Sequence, residues 1–554
     1  MRSVLLLCML LIIAYAKTYY IDFAGNKTFN KDRLYEELGL KRSLWQKYRG
    51  TLPYVDEKLL PSLHEELELF YKEQGFWDAN ITTQLRGNKA IFHIQEKKPL
   101  IIKEIAITSN FPIKDKLTIY KNQRFIIPEF IHSKERIKKA LLKKGYCSYT
   151  FNPKAYIFHK KHSAYISIYL DKGDRCIIKN IKIVGLHTIK PKVVFDHIYV
   201  HQNEIFSKEK IDESYKRLYS LGYFRQVRFD YSKKVNNQIT LTIYLKERQK
   251  KHLYKVGIGY ESDQGFIGSF LYKNFNFHSH QPQIKLRYAK LHKELSLSLF
   301  TPSIWLEHDM SNTLSYSDEK FEEFKSQIFT YRFKLLQDSF TTSHAFGLEV
   351  ENIKIYNASP CIDEQSYIFI APFLRYLLDR RNSKIFPTQG YFWLTHVSAS
   401  LKQLGNTNYL HASSELGYYT KVHKSILFTK IKLAQIFANG SLPPTKYLYA
   451  GGIKSNRAYS YRSIAALDNS CGLGGKSLLE TTLELRYPFK GVYGALFWDR
   501  TYLNSKSLNF NKSVDGIGIG VLVPLQIGTI KAYFGVNPSN ISQNFLGLYI
   551  GAAF

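Results

Sequence analysis

From His252 onward the chain shows no helical periodicity. Segments of about ten residues alternate apolar with polar side chains and are separated by turn residues. Phe329, Tyr331, Phe333 and Leu335 alternate with Thr330, Arg332 and Lys334. Leu479, Thr481, Leu483, Leu485 and Tyr487 alternate with Glu480, Thr482, Glu484 and Arg486, and Ile517, Ile519, Val521 and Val523 with Gly516, Gly518, Gly520 and Leu522. The last segment places Leu546, Leu548, Ile550, Ala552 and Phe554 on one face. A water-soluble sandwich also alternates, but its core could not bury the unpaired charges these polar faces carry. Aromatics cluster near the segment ends, as girdle residues do. Sixteen segments of about 19 residues each, turn included, fit an even-numbered antiparallel barrel. Its apolar face meets lipid and its charged face lines a wet lumen, and full closure is required because lipid cannot satisfy an open sheet edge. The barrel is expected over residues 252–554.

Before Lys251 the texture is different, and it repeats three times. Each unit opens with a short strand and a turn: Ile21 to Asn26, Ile105 to Asn110, Ile181 to Leu186. An amphipathic helical stretch follows and ends in a Gly-aromatic pair, at Gly75-Phe76, Gly145-Tyr146 and Gly222-Tyr223. A glycine there reads as a left-handed C-cap. Each unit closes on an alternating strand that runs into an acid, Glu96, Asp171 or Glu247. The Gly-aromatic pairs lie 70 and 77 residues apart. The fold class is thus three α+β repeats of β-α-α-β-β order, at 17–98, 99–173 and 174–247, followed by an all-β barrel.

The first sixteen residues read as a secretory signal, with Arg2 as the positive region, residues 4–13 as the apolar run and Ala14-Tyr15-Ala16 as the cleavage site. Export matters for the charge. Lys+Arg number 78 against Asp+Glu 46, a balance that would otherwise suggest nucleic acid. An exported chain does not meet chromosomal DNA, so nucleic acid is excluded as a partner. Residues 252–554 hold 31 Lys+Arg and 21 Asp+Glu, so most of the positive excess lies in the repeats. An acidic partner protein, anionic lipid headgroups or a compositional bias toward lysine would each account for it. Export also permits disulfides, with Cys147–Cys176 and Cys361–Cys471 as candidate pairs beside the alternative of four free thiols. No metal-ligand spacing, nucleophile elbow, zinc-protease motif, P-loop or dinucleotide fingerprint is present, so no cofactor, metal or catalytic residue is expected.

Threading direction supplies a check. If the repeats lie in the periplasm, the long segment 439–476 follows strand eleven and falls outside, while the tight turn at Pro488-Phe489-Lys490-Gly491 falls inside. Long outside and short inside suits an outer-membrane barrel.

Four stretches, in order, resemble the outer-membrane protein assembly factor superfamily, whose barrels follow POTRA (polypeptide-transport-associated) repeats. The most specific is Gly451-Gly452-Ile453-Lys454-Ser455-Asn456-Arg457-Ala458-Tyr459. There Asn456 replaces the family's apolar residue and Ala458 its glycine. The others are Leu378 to Asn382 with Pro387 to Gly390, Gly474-Gly475 with Glu484 and Pro488, and Phe497-Trp498-Asp499. Three repeats before sixteen strands are most similar to the TamA branch. Core insertases of the BamA type usually carry five repeats, and two-partner secretion transporters two.

The resemblance implies a non-enzymatic assembly or translocation factor for β-rich clients, embedded in the outer-membrane bilayer. An inner-membrane-anchored, TamB-like partner would be reached through the repeats. A secretion transporter, a core insertase, a passive pore and a barrel enzyme are the readings set against it. The resemblance also implies that the long loop folds back into the lumen. Arg457 would then pair with Glu484, on the inward parity of strand twelve, or with Asp499, near the outer end of strand thirteen, or with both. The last strand, ending on Phe554, resembles a terminal assembly signal and would close on strand one at a weak seam. Gly547 and Gly551 thin its interior around Ile550.

Overall fold

The computed structural model describes residues 17–552 except 41, 43–45, 47–48, 306–307, 340, 467–472, 490, 508 and 526–527, and of 551–552 the backbone only. Residues 1–16, expected to be a signal segment, and Cys471 and Phe554 lie outside the described residues. The chain forms two compact units. One holds residues 1–181 with 200–209 and 231–241, and the other holds 182–199, 210–230 and 242–554. The division runs through the third repeat.

In the first repeat, strand Thr18–Ala24 lies between Tyr54–Asp56 and Lys89–Gln95, with Asn80–Arg86 at the far edge. Strand Thr18–Ala24 runs parallel to Lys89–Gln95, which requires a crossover. Helices Lys31–Glu37 and Leu60–Glu73 supply it. Leu60, Leu63, Leu67, Phe70 and Tyr71 recur at three- and four-residue spacing and are buried with Ile21, Phe23 and Phe92 of the sheet. The second repeat has three strands in the order Ile101–Ser109, Ser163–Asp171, Thr150–Phe158, under helix Ile127–Lys143. Its expected first helix is a single 3-10 turn, Lys114–Lys116. On either side of that turn Phe111 and Ile113, and Leu117 and Ile119, are buried two residues apart, a spacing that suits extended chain rather than a helix face. The third repeat has helices Pro191–Phe195 and Lys208–Ser220, with strands Ile177–Val184, Phe224–Asp230 and Gln238–Glu247.

The Gly-aromatic pairs act as seats for the next stretch of chain. Gly75, Gly145 and Gly222 all have positive φ, at 89°, 89° and 79°. The carbonyl of Gly75 accepts from Leu100 N–H at 2.8 Å and that of Gly145 from Cys176 N–H at 2.9 Å. A Cβ at Gly145 would lie 2.5 Å from Ile205 Cγ2, and one at Gly222 2.5 Å from the Phe275 ring. The disulfide Cys147–Cys176 reinforces the second of these joints; Cys361 is disulfide-bonded as well.

The closing acids have a structural task too. Glu96 accepts from the backbone N–H groups of Lys27 and Thr28 and from the Thr28 and Tyr71 hydroxyls. Glu247 does the same for His187, Thr188 and Ile189. In the first and third repeats the end of the last strand thereby holds the turn after the first. Asp171 is shorter and reaches Asn110 and Gly173 N–H instead.

Sixteen antiparallel strands, from His252–Glu261 to Asn540–Ala552, form one closed barrel. Apolar residues of one parity project outward and are exposed, as at Ile258, Phe266, Leu483, Leu485 and Leu546, which is the lipid-facing band. The other parity is buried inside, as at Glu480, Glu484 and Arg486. Residues 182–199 and 210–230 of the third repeat belong to the same compact unit. Buried Asp309 accepts from His197 Nε2 at 2.9 Å, from Arg217 at 2.7 Å and from Ser303 N–H at 3.1 Å.

Candidate functional site

Residues 440–476 connect strand eleven, Ser425–Asn439, to strand twelve, Ser477–Phe489. Within this connection, residues 451–459 lie against the inner wall of the barrel. Gly451 and Gly452 start the return with φ of 100° and 98°. A Cβ at Gly451 would lie 2.3 Å from the Ser460 carbonyl, so only glycine fits the tight turn. Gly452 N–H donates to the Tyr459 carbonyl at 2.8 Å, closing the compact loop 452–459 around Arg457.

Arg457 lies on strands twelve and thirteen, the latter Val492–Asn504. Its Nε and Nη2 donate to the two oxygens of Asp499 at 2.8 and 2.9 Å, and its backbone N–H donates to the same carboxylate at 3.0 Å. Nη1 donates to Glu484. Glu484 also accepts from Arg486 Nε at 2.5 Å. The Arg457 guanidinium stacks on Phe497, 3.8 Å from the ring centre, with Tyr533 at 4.6 Å. Arg457, Glu484, Arg486 and Asp499 are each at most 5% exposed. Two cations and two anions thus neutralise one another in a buried site. The fork geometry of arginine is what allows one side chain to serve both carboxylates.

The far wall holds the base of the loop. Lys446 pairs with Glu351 and lies over the Tyr409 ring. Arg462 sits between Phe321 and Tyr449, 3.9 and 3.7 Å from their centres. Between strands one and sixteen, two register pairs join among the described residues, Tyr260 with Ile550 and Glu261 with Tyr549. Strands one and two share ten. Among the described residues no group of three or more His, Cys, Asp or Glu is placed to hold a metal ion.

Residues 213–551, more than half of the chain, match the Omp85 superfamily domain. The chain belongs to the Omp85 superfamily. Residues 176–248 match the POTRA family, described as a surface antigen variable number repeat. Among similar proteins, the outer membrane protein assembly factor BamA of Nitratidesulfovibrio vulgaris is 22% identical over 389 residues, 66% of this chain and 49% of that one. BamA of Neisseria meningitidis serogroup B is 20% identical over 556 residues, 87% of this chain and 66% of that one. The chain therefore spans about half the length of the first of these relatives. The crystal structure of BamA from Haemophilus ducreyi lacking POTRA domains 1–3 superposes with a TM-score of 0.57 at 17% identity, over 82% of this chain and all of that one, a likeness of fold. As an Omp85 barrel with POTRA repeats, the protein resides in the outer membrane with its repeats in the periplasm.

In this Omp85 barrel the residues singled out from sequence fall into two places. Gly451, Gly452, Arg457, Ala458, Tyr459, Glu484 and Asp499 come together in the lumen. Gly547, Ile550 and Gly551 lie on the last strand, away from the arginine, and Phe554 is outside the described residues. Asp499 sits in the middle of strand thirteen, opposite Thr482, rather than near its outer end. The last strand starts at Asn540, five residues before the expected Phe545.

The two departures from the family loop are accommodated locally. Asn456 is fully buried and satisfied: its Nδ2 donates to the Val514 carbonyl at 3.1 Å, and its Oδ1 accepts from Ala458 N–H at 3.3 Å. Ala458 fits because strand fourteen, Val514–Leu525, has Gly516 there, where a Cβ would lie 2.8 Å from the Ala458 Cβ. On strand fifteen, Gly528–Asn537, a Cβ at Gly535 would lie 2.4 Å from the Arg457 carbonyl.

Sequence reasoning missed Arg486, Tyr533 and the role of these wall glycines. The inward parity that selected Glu484 also selects Arg486 two residues on. The run Gly516, Gly518, Gly520 was a signal for a segment packed against the wall. One connection on the periplasmic side is also longer than expected: residues 380–389 turn inward, where Phe386 packs on Tyr493 at 4.7 Å and the Ile385 carbonyl accepts from Thr529 Oγ1 at 3.3 Å.

Proposed function

We propose that this protein is an outer-membrane assembly or translocation factor that inserts or exports β-rich clients through the seam between its first and last barrel strands. The observation that carries the reading is the contrast of two register pairs at that seam with ten between the neighbouring strands. Each backbone hydrogen bond contributes about 0.5–1.5 kcal/mol net, so a two-rung seam opens at far lower cost than any other strand pair of the barrel. Opening exposes two strand edges, and an incoming client strand pairs with one of them by β-augmentation. The lumen loop, bound to both walls, favours a gated machine over a passive pore. Three repeats fit a TamA-like protein that engages a TamB-like partner anchored in the inner membrane, in preference to a BamA-type core insertase or a two-partner secretion transporter.

The test is a reversible lock. Tyr260→Cys with Ile550→Cys, oxidised in cells that depend on this chain, is expected to deplete clients from an outer-membrane protein inventory, and reduction should restore them. Normal client levels with the seam fully cross-linked would overturn the reading. Cross-linking from the repeats in cells, followed by identification of the captured protein, tests the inner-membrane partner.

A further inference from the structure

We propose that residues 452–454 of the lumen loop strap the seam shut from inside, so that loop and seam move as one device. The inference rests on the seam being the working gate, and it assigns that gate its control element.

The loop touches both sides of the seam at its paired rungs. On the strand-one side, Lys454 Nζ donates to Glu261 Oε1 at 2.8 Å, and Ile453 N–H donates to Asp263 Oδ2 at 3.3 Å in the turn that follows. On the strand-sixteen side, the Lys454 ammonium lies 5.4 Å from the centre of the Tyr549 ring, and the Ile453 side chain lies 3.4 Å from where a Gly547 Cβ would be. Glu261 and Tyr549 are themselves one of the two register pairs. The strap therefore crosses the sheet where the sheet is weakest, and Gly547 serves as a seat for Ile453 as well as a thin point in the strand.

The other end of the strap is fixed. Ser455 Oγ donates to Glu480 on strand twelve, and Arg457 is bound to Glu484 and Asp499. Three to five residues thus link strands one and sixteen to strands twelve and thirteen through continuous chain. With only two rungs and the paired Ser262–Leu548 bonds to supplement, the loop contacts make up a large share of what closes the seam. A client that displaces Arg457 from the wall would slacken the strap and free the seam in the same event.

The full chain carrying Ser262→Cys and Leu548→Cys, reconstituted in phosphatidylcholine–phosphatidylglycerol vesicles, reports closure through the rate of disulfide formation in a brief oxidant pulse. Lys454→Met is expected to slow cross-linking about threefold, the scale of an ion pair with one exposed partner. Lys454→Arg should stay at the parental rate. Glu261→Gln removes the same pair from the other side and should reproduce the slowing, with heat-modifiable migration confirming a closed barrel in each variant. Equal cross-linking rates in the parent, Lys454→Met and Glu261→Gln would overturn the strap. The gate is read separately: if Lys454→Met slows cross-linking while the locked seam leaves client insertion intact, the strap stands and the gate falls.

Discussion

Strands twelve and thirteen, and strands one and sixteen, are neighbours in the same closed sheet, yet they are held in opposite ways. The first pair shares thirteen register positions and carries a buried cluster of two arginines and two carboxylates on its inner face. The second shares two positions and depends on a loop for further contact. A wall with a full ladder tolerates a costly buried charge network, because its position is determined many times over. A seam with a short ladder leaves an edge available. A barrel that must stay closed to lipid and still admit a strand needs both, and one loop touches both within residues 453–457.

The contrast can be broken most forcefully at the wall. Glu484→Ala leaves Arg457 and Arg486 short of a buried partner, a loss of about 3–5 kcal/mol. Protease cleavage within 440–476 and a lower thermal midpoint of the folded barrel are the expected signs. Gly535→Val drives a side chain into the Arg457 carbonyl. It should cost about 1–3 kcal/mol and release the same loop with every charge intact, which separates packing from ion pairing. At the seam, a Cβ on Gly259 would lie 2.9 Å from the Ile550 carbonyl. Gly259→Val should spread strands one and sixteen while moving the thermal midpoint by the equivalent of about 1 kcal/mol or less, because few bonds are there to lose. Cross-linking between positions 262 and 548 measures the spread.

The smallest effect lies outside the barrel and serves as a control for both. Burial of Glu247 disfavours its charge, but the Thr188 hydroxyl and the backbone N–H groups of His187, Ile189 and Thr188 outweigh that and hold its carboxyl below the usual range. Its folded-state value is depressed, so its contribution to stability is complete above the unfolded value of about 4.3 and is lost as pH falls through the folded value. Amide exchange at residues 187–189 should accelerate in that acid window. Glu247→Gln should flatten the dependence without altering either the loop or the seam.

Strand alternation and the threefold repeat carried the architecture in the sequence, because each is a local period that every strand or helix has to obey. The Gly-aromatic pairs announced the helix ends for the same reason. Their second use, as seats for the following chain, depends on atoms 25 to 60 positions away and has no local mark. The second repeat lost its first helix because alternate burial of Phe111, Ile113, Leu117 and Ile119 overrode the repeat template.

Sequence by itself determined that the chain is a closed sixteen-strand barrel behind three α+β repeats. The family resemblance added that Arg457, once folded into a lumen, needs carboxylate partners. Only the tertiary structure decided that one arginine takes both Glu484 and Asp499, that Gly516 and Gly535 make room for it, and that Lys454 reaches Glu261. These contacts join residues 27 to 193 positions apart. A two-residue period tells which face a side chain takes, whereas the partner it meets across a lumen is set by closure of the whole sheet and by the path of one loop through it.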